Sequence, residues 1–333
     1  MNGIQKQYKT TLSIIGLTMI IWIILFNVLA VAYQFADLFA ADIFGETAGE
    51  IISSVVYDLV YLGIFMIPVA FFRLLSKGRR VEPMRFEFGF ESPIKTFALI
   101  VGGIAAAFAF AHLNSIFMGF INIPKPENFF SEPYIQITDR GLILQFITIA
   151  LVPAFCEEFL FRGVILSNLM PYGRSTAIVI SSLLFGLMHG NFYQFLYTTV
   201  AGLVLGFIYV KTGSIWCSTL MHMLNNSISI LQTAVLDRFN DEYAETLWIA
   251  FEGLLFAVGA VCIVYLVSVY GRPKRTHREV PANVFGKRLE KDLSFGASAA
   301  LPASEAVKSF FTPTIVVFVV YSIFNAVIVL FAV

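Results

Sequence analysis

GLILQFITIALVPAFCEEFLFRGVIL, residues 141–166, is as long and as apolar as a membrane-crossing helix, yet it carries Glu157, Glu158 and Arg162. About 20 apolar residues suffice to cross the hydrocarbon layer. A lone ionisable group at that depth costs about 3 kcal/mol on insertion scales. Two adjacent carboxylates must therefore be met by water or by partners from elsewhere in the chain. The stretch reads as one helix of a membrane bundle, with the rest of the chain as the scaffold around its charges.

Composition agrees. Hydrophobic residues make up 58% of the 333 and charged residues 13%, with a mean hydropathy of +0.80. Soluble domains sit nearer half apolar and a quarter charged. The expected fold class is all-α, a polytopic transmembrane helical bundle. The formal net charge is zero, and no basic patch with interleaved aromatics points to nucleic acid. The 35 Phe and 13 Tyr suit lipid-facing and interfacial positions. Cys156, Cys217 and Cys262 fall in apolar segments and make no disulfide framework. Cys156 reads as a small packing residue, because two neighbouring carboxylates are the wrong surroundings for a reactive thiolate.

Working outward from 141–166, the same length criterion gives about nine spans. They lie near 11–35, 51–74, 96–119, 141–166, 174–192, 193–211, 214–235, 246–270 and 313–333. The first is too long for a signal-peptide core and lacks a small-residue cleavage site, so it reads as an uncleaved span. Lys6 and Lys9 precede it, and the loop 36–50 is acidic. Loop 75–95 is basic, with Lys77, Arg79, Arg80, Arg85 and Lys95, and loop 120–140 is net acidic. Arg174 and Lys211 mark later turns on the basic side; loop 236–245 is acidic and segment 271–312 is rich in Lys and Arg. The positive-inside rule then places the N-terminus in the cytoplasm and the C-terminus outside. Short termini without an organelle address fit a bacterial plasma membrane.

Three parts follow from this count. Residues 1–140 hold three spans, 141–235 form the helical core that carries the chemistry, and 236–333 add two spans joined by the basic cytoplasmic loop 271–312. The first half of that loop reads as lying on anionic headgroups. Its small, polar second half, SFGASAALPASEA (294–306), reads as a flexible linker.

Within the core, Glu158 and Arg162 are four apart and can pair on one helix face. Glu157 lies about 100° further round and is left for another role. Pro153 removes a backbone hydrogen bond and is expected to kink the helix and admit water. Later spans carry FGLMHG (185–190), with His189, and HMLNN (222–226), with His222 and Asn226 on one face. Singly, each reads as ordinary interhelical glue, worth about 0.6–2 kcal/mol. Counting from the cytoplasmic helix ends at 1.5 Å per residue puts Glu157 roughly 14 Å deep, His222 roughly 12 Å and His189 roughly 22 Å. His189 joins the other two only if its helix tilts or starts later than Arg174.

Together, EEFLFR (157–162), FGLMH (185–189) and HMLNN (222–226) resemble, in this order, the motifs EExxxR, FxxxH and HxxxN of the CPBP family of intramembrane proteases. That family includes the type II CAAX prenyl endopeptidases and bacterial proteins of bacteriocin processing or immunity. The stretch AGLVLGFIYVKTGSIW (201–216) is also similar to the segment preceding the third motif, and the likeness covers 141–235. The resemblance implies an intramembrane endopeptidase of glutamate type. Glu157 would be the general base that activates a water, and His189 would help hold that water. His222 and Asn226 would donate to the oxyanion, and Glu158 with Arg162 would form a structural pair.

No cofactor is favoured. The alternative makes Glu157, His189 and His222 ligands of a Zn²⁺; against it, the three come from separate helices without the HExxH spacing. The partners implied are membrane lipids and a peptide or protein substrate, either prenylated or a secreted-peptide precursor. A non-proteolytic reading also stands: an immunity or regulatory partner, or a transporter using Glu157 for proton coupling. The inverted repeats that would support a transporter are not visible.

Three further features need a reading. Gly202 and Gly206 form a small-xxx-small pair, expected to serve close packing within the bundle, with a homodimer seam as the lesser alternative. Asp58 and His112 are ionisable groups inside spans and read as structural pairs. Glu252 reads as solvated near the outer headgroups.

Overall fold

The computed structural model describes residues 3–77, 82–86, 92–123, 138–239, 242–271 and 301–331. Arg79 and Arg80 of the basic loop 75–95, most of the acidic loop 120–140, and residues 272–300 of segment 271–312 lie outside them. The headgroup reading of that last segment falls there too.

All regular structure among the described residues is helical. The helices are α1 (Gly3–Phe44), α2 (Glu46–Leu75), α3 (Pro93–Phe120), α4 (Arg140–Tyr172), α5 (Arg174–Met188), α6 (Phe192–Thr212), α7 (Ile215–Phe239), α8 (Glu242–Tyr270), α9 (Ala303–Phe310) and α10 (Pro313–Phe331). Each of the nine expected spans coincides with a helix. Seven of them are long and apolar enough to cross a membrane; α5 is too short, and α7 is diluted by its polar residues. The chain is a multi-pass membrane helix bundle.

Boundaries depart from expectation most at α1. Its 42 residues extend about 63 Å, twice the hydrocarbon thickness, before Gly45 turns the chain at φ 79° into α2. The positive φ explains the glycine there, because an L side chain rarely adopts it. At the start of α3, Ser92 accepts a hydrogen bond from the backbone N–H of Lys95, and Pro93 occupies the first turn, where its missing N–H costs nothing.

The middle helices α4 to α7 form the centre, with α4 against α7 and α5 against α6. The α1–α2 hairpin packs on α4 through α2, and α10 closes against α1. On the opposite side α3 covers α6 and α7, and α8 lies along α3. The α1–α10 seam is tight: a Cβ on Gly16 would run into Thr314 and Ile315, and Thr314 Oγ1 donates to the Ser13 carbonyl at 3.0 Å.

The linker reading of 294–306 ends at Leu301. The Leu301 N–H bonds the Tyr172 carbonyl at 3.0 Å, after which α9 begins with Ala306 fully buried. Gln5 Nε2 donates to Glu305 Oε2 at 2.6 Å, tying α9 to the start of α1. Small residues that look featureless in sequence are here small because α9 lies flush against α1.

The helix α4 is not uniform. Wide π turns at Phe146–Leu151 and Phe159–Leu166 bracket an α-helical segment, Val152–Glu158. Pro153 sits in the first turn of that segment, where a missing N–H is tolerated. The wide turn before it absorbs the break that a proline was expected to cause by kinking. Such π turns often occur at functional sites, and these two flank the carboxylate pair.

Candidate active site

Glu158 and Arg162 form the buried pair expected from their spacing. Both side chains are completely enclosed, and Arg162 Nη1 donates to Glu158 Oε1 at 2.7 Å. Nη2 donates to the Gly202 carbonyl of α6 at 3.0 Å, and the guanidinium lies 4.8 Å from the centre of the Phe185 ring on α5. One arginine thus fastens α4, α5 and α6 together. It can do so because Gly202 lets α6 come close to Ser182 of α5.

Glu157 faces the other way, into a cavity of about 370 Å³. His189, His222 and Asn226 line the same cavity, so all four proposed catalytic residues meet there from α4, the end of α5, and α7. The depth count had set His189 apart. It sits immediately after the last residue of α5, where its Nδ1 bonds the Phe185 carbonyl at 2.9 Å. That bond turns Nε2 away from the backbone.

The imidazole of His222 stands between the two carboxylates. Its Nδ1 is 3.1 Å from Glu158 Oε1 and its Nε2 is 3.8 Å from Glu157 Oε2. Because an ionised carboxylate only accepts, Nδ1 carries the proton and donates to Glu158. Glu158 therefore does more than pair with Arg162: it fixes the tautomer and orientation of His222. Asn226 donates from Nδ2 to the Ile149 carbonyl at 3.3 Å, inside the first wide turn of α4.

Two partners were missed by sequence reasoning. Tyr61 of α2 donates to Glu157 Oε1 at 2.5 Å, and Tyr197 of α6 accepts from Asn225 Nδ2 at 2.9 Å. Neither belongs to a motif, and a tyrosine in an aromatic-rich span carries no spacing signal. Trp22 and Phe26 of α1 and Tyr321 and Asn325 of α10 complete the far wall. Asn325 Nδ2 donates to the carbonyl of Gly190 at 3.1 Å, holding the turn that follows His189.

Of the remaining features, Gly202 and Gly206 both face α5 inside the bundle. Asp58 accepts from Thr148 at 3.4 Å. Glu252 is only 17% exposed and meets both Trp248 Nε1, at 2.5 Å, and His112 Nε2, at 3.6 Å. The sequence reading of Glu252 as solvated missed this trio.

A zinc site was tested on the donors themselves. Among the described residues no three His, Cys, Asp or Glu side chains converge as a metal-ligand set. His189 and His222 each use Nδ1 within the protein and Glu157 gives one oxygen to Tyr61, which leaves the two Nε2 atoms and Oε2 as the remaining donors.

Comparison with known proteins places the same stretch. Residues 139–228 match the family profile of the type II CAAX prenyl endopeptidases, Rce1-like. Over these residues the chain is similar to that family. A 119-residue segment is also 28% identical to the "Putative membrane peptidase YdiL" of Bacillus subtilis (strain 168), covering 34% of this chain and 48% of that protein. The chain thus spans about half the length of the curated relative it matches. No solved structure matches it significantly. The Rce1-like stretch contains Glu157, Glu158, Arg162, His189, His222 and Asn226, while Tyr61 and the α1 and α10 walls lie outside it.

Proposed function

We propose that the protein is an intramembrane endopeptidase in which Glu157 activates a water for attack on a peptide carbonyl. The observation that carries this reading is the convergence of Glu157, His189, His222 and Asn226 from three helices on one cavity inside an Rce1-like core. Glu157 lines the cavity, and its carboxylate takes the water's proton. His189, held through Nδ1, presents Nε2 to the same water. The Asn226 amide donates to the developing oxyanion. His222 joins it only once Nε2 is protonated, because its Nδ1 proton is committed to Glu158.

The reaction runs without a metal, a reading supported by the three candidate ligands coming from separate helices without the HExxH spacing. Purified enzyme in detergent should keep its full rate after chelation, and loss of activity restored by zinc would overturn the metal-free mechanism. The substrate is a membrane-associated peptide, either prenylated or the precursor of a secreted peptide.

Membrane-proteome termini compared between cells carrying wild-type and Glu157→Ala protein test the whole reading. Removing a general base should lower cleavage by about 10²–10⁴-fold, with the variant still folded and inserted. Unchanged termini would sink the proposal.

A further inference from the structure

We propose that Tyr61, from the α1–α2 hairpin and outside the Rce1-like segment, is the positioning residue that selects which oxygen of Glu157 acts. This deepens the reading of Glu157 as general base and rests on it. The phenol donates to Oε1 at 2.5 Å, the short distance typical of a hydroxyl bonded to a carboxylate. Oε2, by contrast, is enclosed, has no hydrogen-bond partner among the described residues and lies 3.8 Å from His222 Nε2. One oxygen is therefore held, and the other keeps its hydrogen-bonding capacity unused beside His222.

The phenol is itself held. Its ring lies between Phe65 and Tyr57, at centroid separations of 4.9 and 5.8 Å with interplanar angles of 24° and 28°. Trp22 backs Phe65 at 6.0 Å and Tyr33 backs Tyr57 at 5.2 Å. This aromatic column leaves Tyr61 little rotational freedom, so the carboxylate plane is fixed from α2 and not from within α4. Without the phenol both oxygens compete for the water, and the base samples orientations that do not face the carbonyl. The Rce1-like core is then incomplete as a catalyst without the hairpin.

The spectroscopic arm of the test needs no substrate. The infrared difference between purified wild-type and Glu157→Gln protein isolates the Glu157 carboxyl band. Tyr61→Phe should shift that band, whereas Tyr33→Phe, which removes a hydroxyl bonded to Ser53 on the same column, should leave it in place. In a cleavage assay with a quenched farnesylated peptide ending in Cys-aliphatic-aliphatic-X, Tyr61→Phe should lower kcat roughly ten- to a hundred-fold with KM within two-fold.

A band unmoved by Tyr61→Phe overturns this inference and leaves the role of Glu157 intact. Full cleavage by Glu157→Gln overturns the base assignment instead. Should the Phe variant fail to fold, 3-fluorotyrosine at position 61 keeps the ring and strengthens the donor. The band must then move in the direction opposite to that of a lost hydrogen bond, and an unmoved band again overturns the inference.

Discussion

Among the described residues Arg162 is the largest fully buried side chain, and its contacts to Gly202 and Phe185 join two further helices to α4. Removing one member of a buried ion pair costs about 3–5 kcal/mol, because the other charge is left unmatched. Arg162→Met should therefore lower the thermal unfolding midpoint in detergent sharply and remove activity with it. Arg162→Lys should not restore either, since an ammonium cannot span the Glu158 carboxylate and the Gly202 carbonyl as the planar fork does. Of this arrangement, the pairing with Glu158 was legible, because four residues of helix put the two side chains on one face. The link to Gly202 and the bridging position of His222 were not, since spacing along one helix carries no information about a partner on another. Tyr61 was hidden for the same reason, one tyrosine among thirteen.

At the level of helices, hydropathy located all nine segments, because a run of apolar residues long enough for the bilayer has few alternatives to a helix there. It could not locate their ends. The acidic residues after position 35 end the apolar run but not the helix, which goes on to Phe44. Depth counting failed for His189 because it assumes helices that stand upright from a common plane. The close contact of α5 and α6 offers a direct probe. A Cβ on Gly202 would sit 3.1 Å from Ser182 Cα and Cβ, so Gly202→Val must push the helices apart and carry the carbonyl away from Arg162. Overpacking of this kind costs about 1–3 kcal/mol. The expected result is a lower unfolding midpoint for Gly202→Val and a smaller change for Gly202→Ala.

For the whole molecule, we propose nine crossings that set the two ends of the chain on opposite faces, with the N-terminus in the cytoplasm as the basic loops of the sequence imply. Alkaline phosphatase fused after Val333 should be active in a bacterial host, and a fusion after Lys77 should be inactive; the reverse pattern would invert the topology. The three-part division of the sequence says little about how the cavity is enclosed. Its far wall draws on α1 and α10, and the Asn27–Tyr321 hydrogen bond at 2.7 Å joins positions 294 residues apart. At 5–20 residues per second, the ribosome delivers Tyr321 roughly 15–60 s after Asn27. Throughout that interval the face of α1 that will receive α10 must be sheltered by lipid or by the insertion machinery, and a nascent chain cannot own a closed reaction chamber.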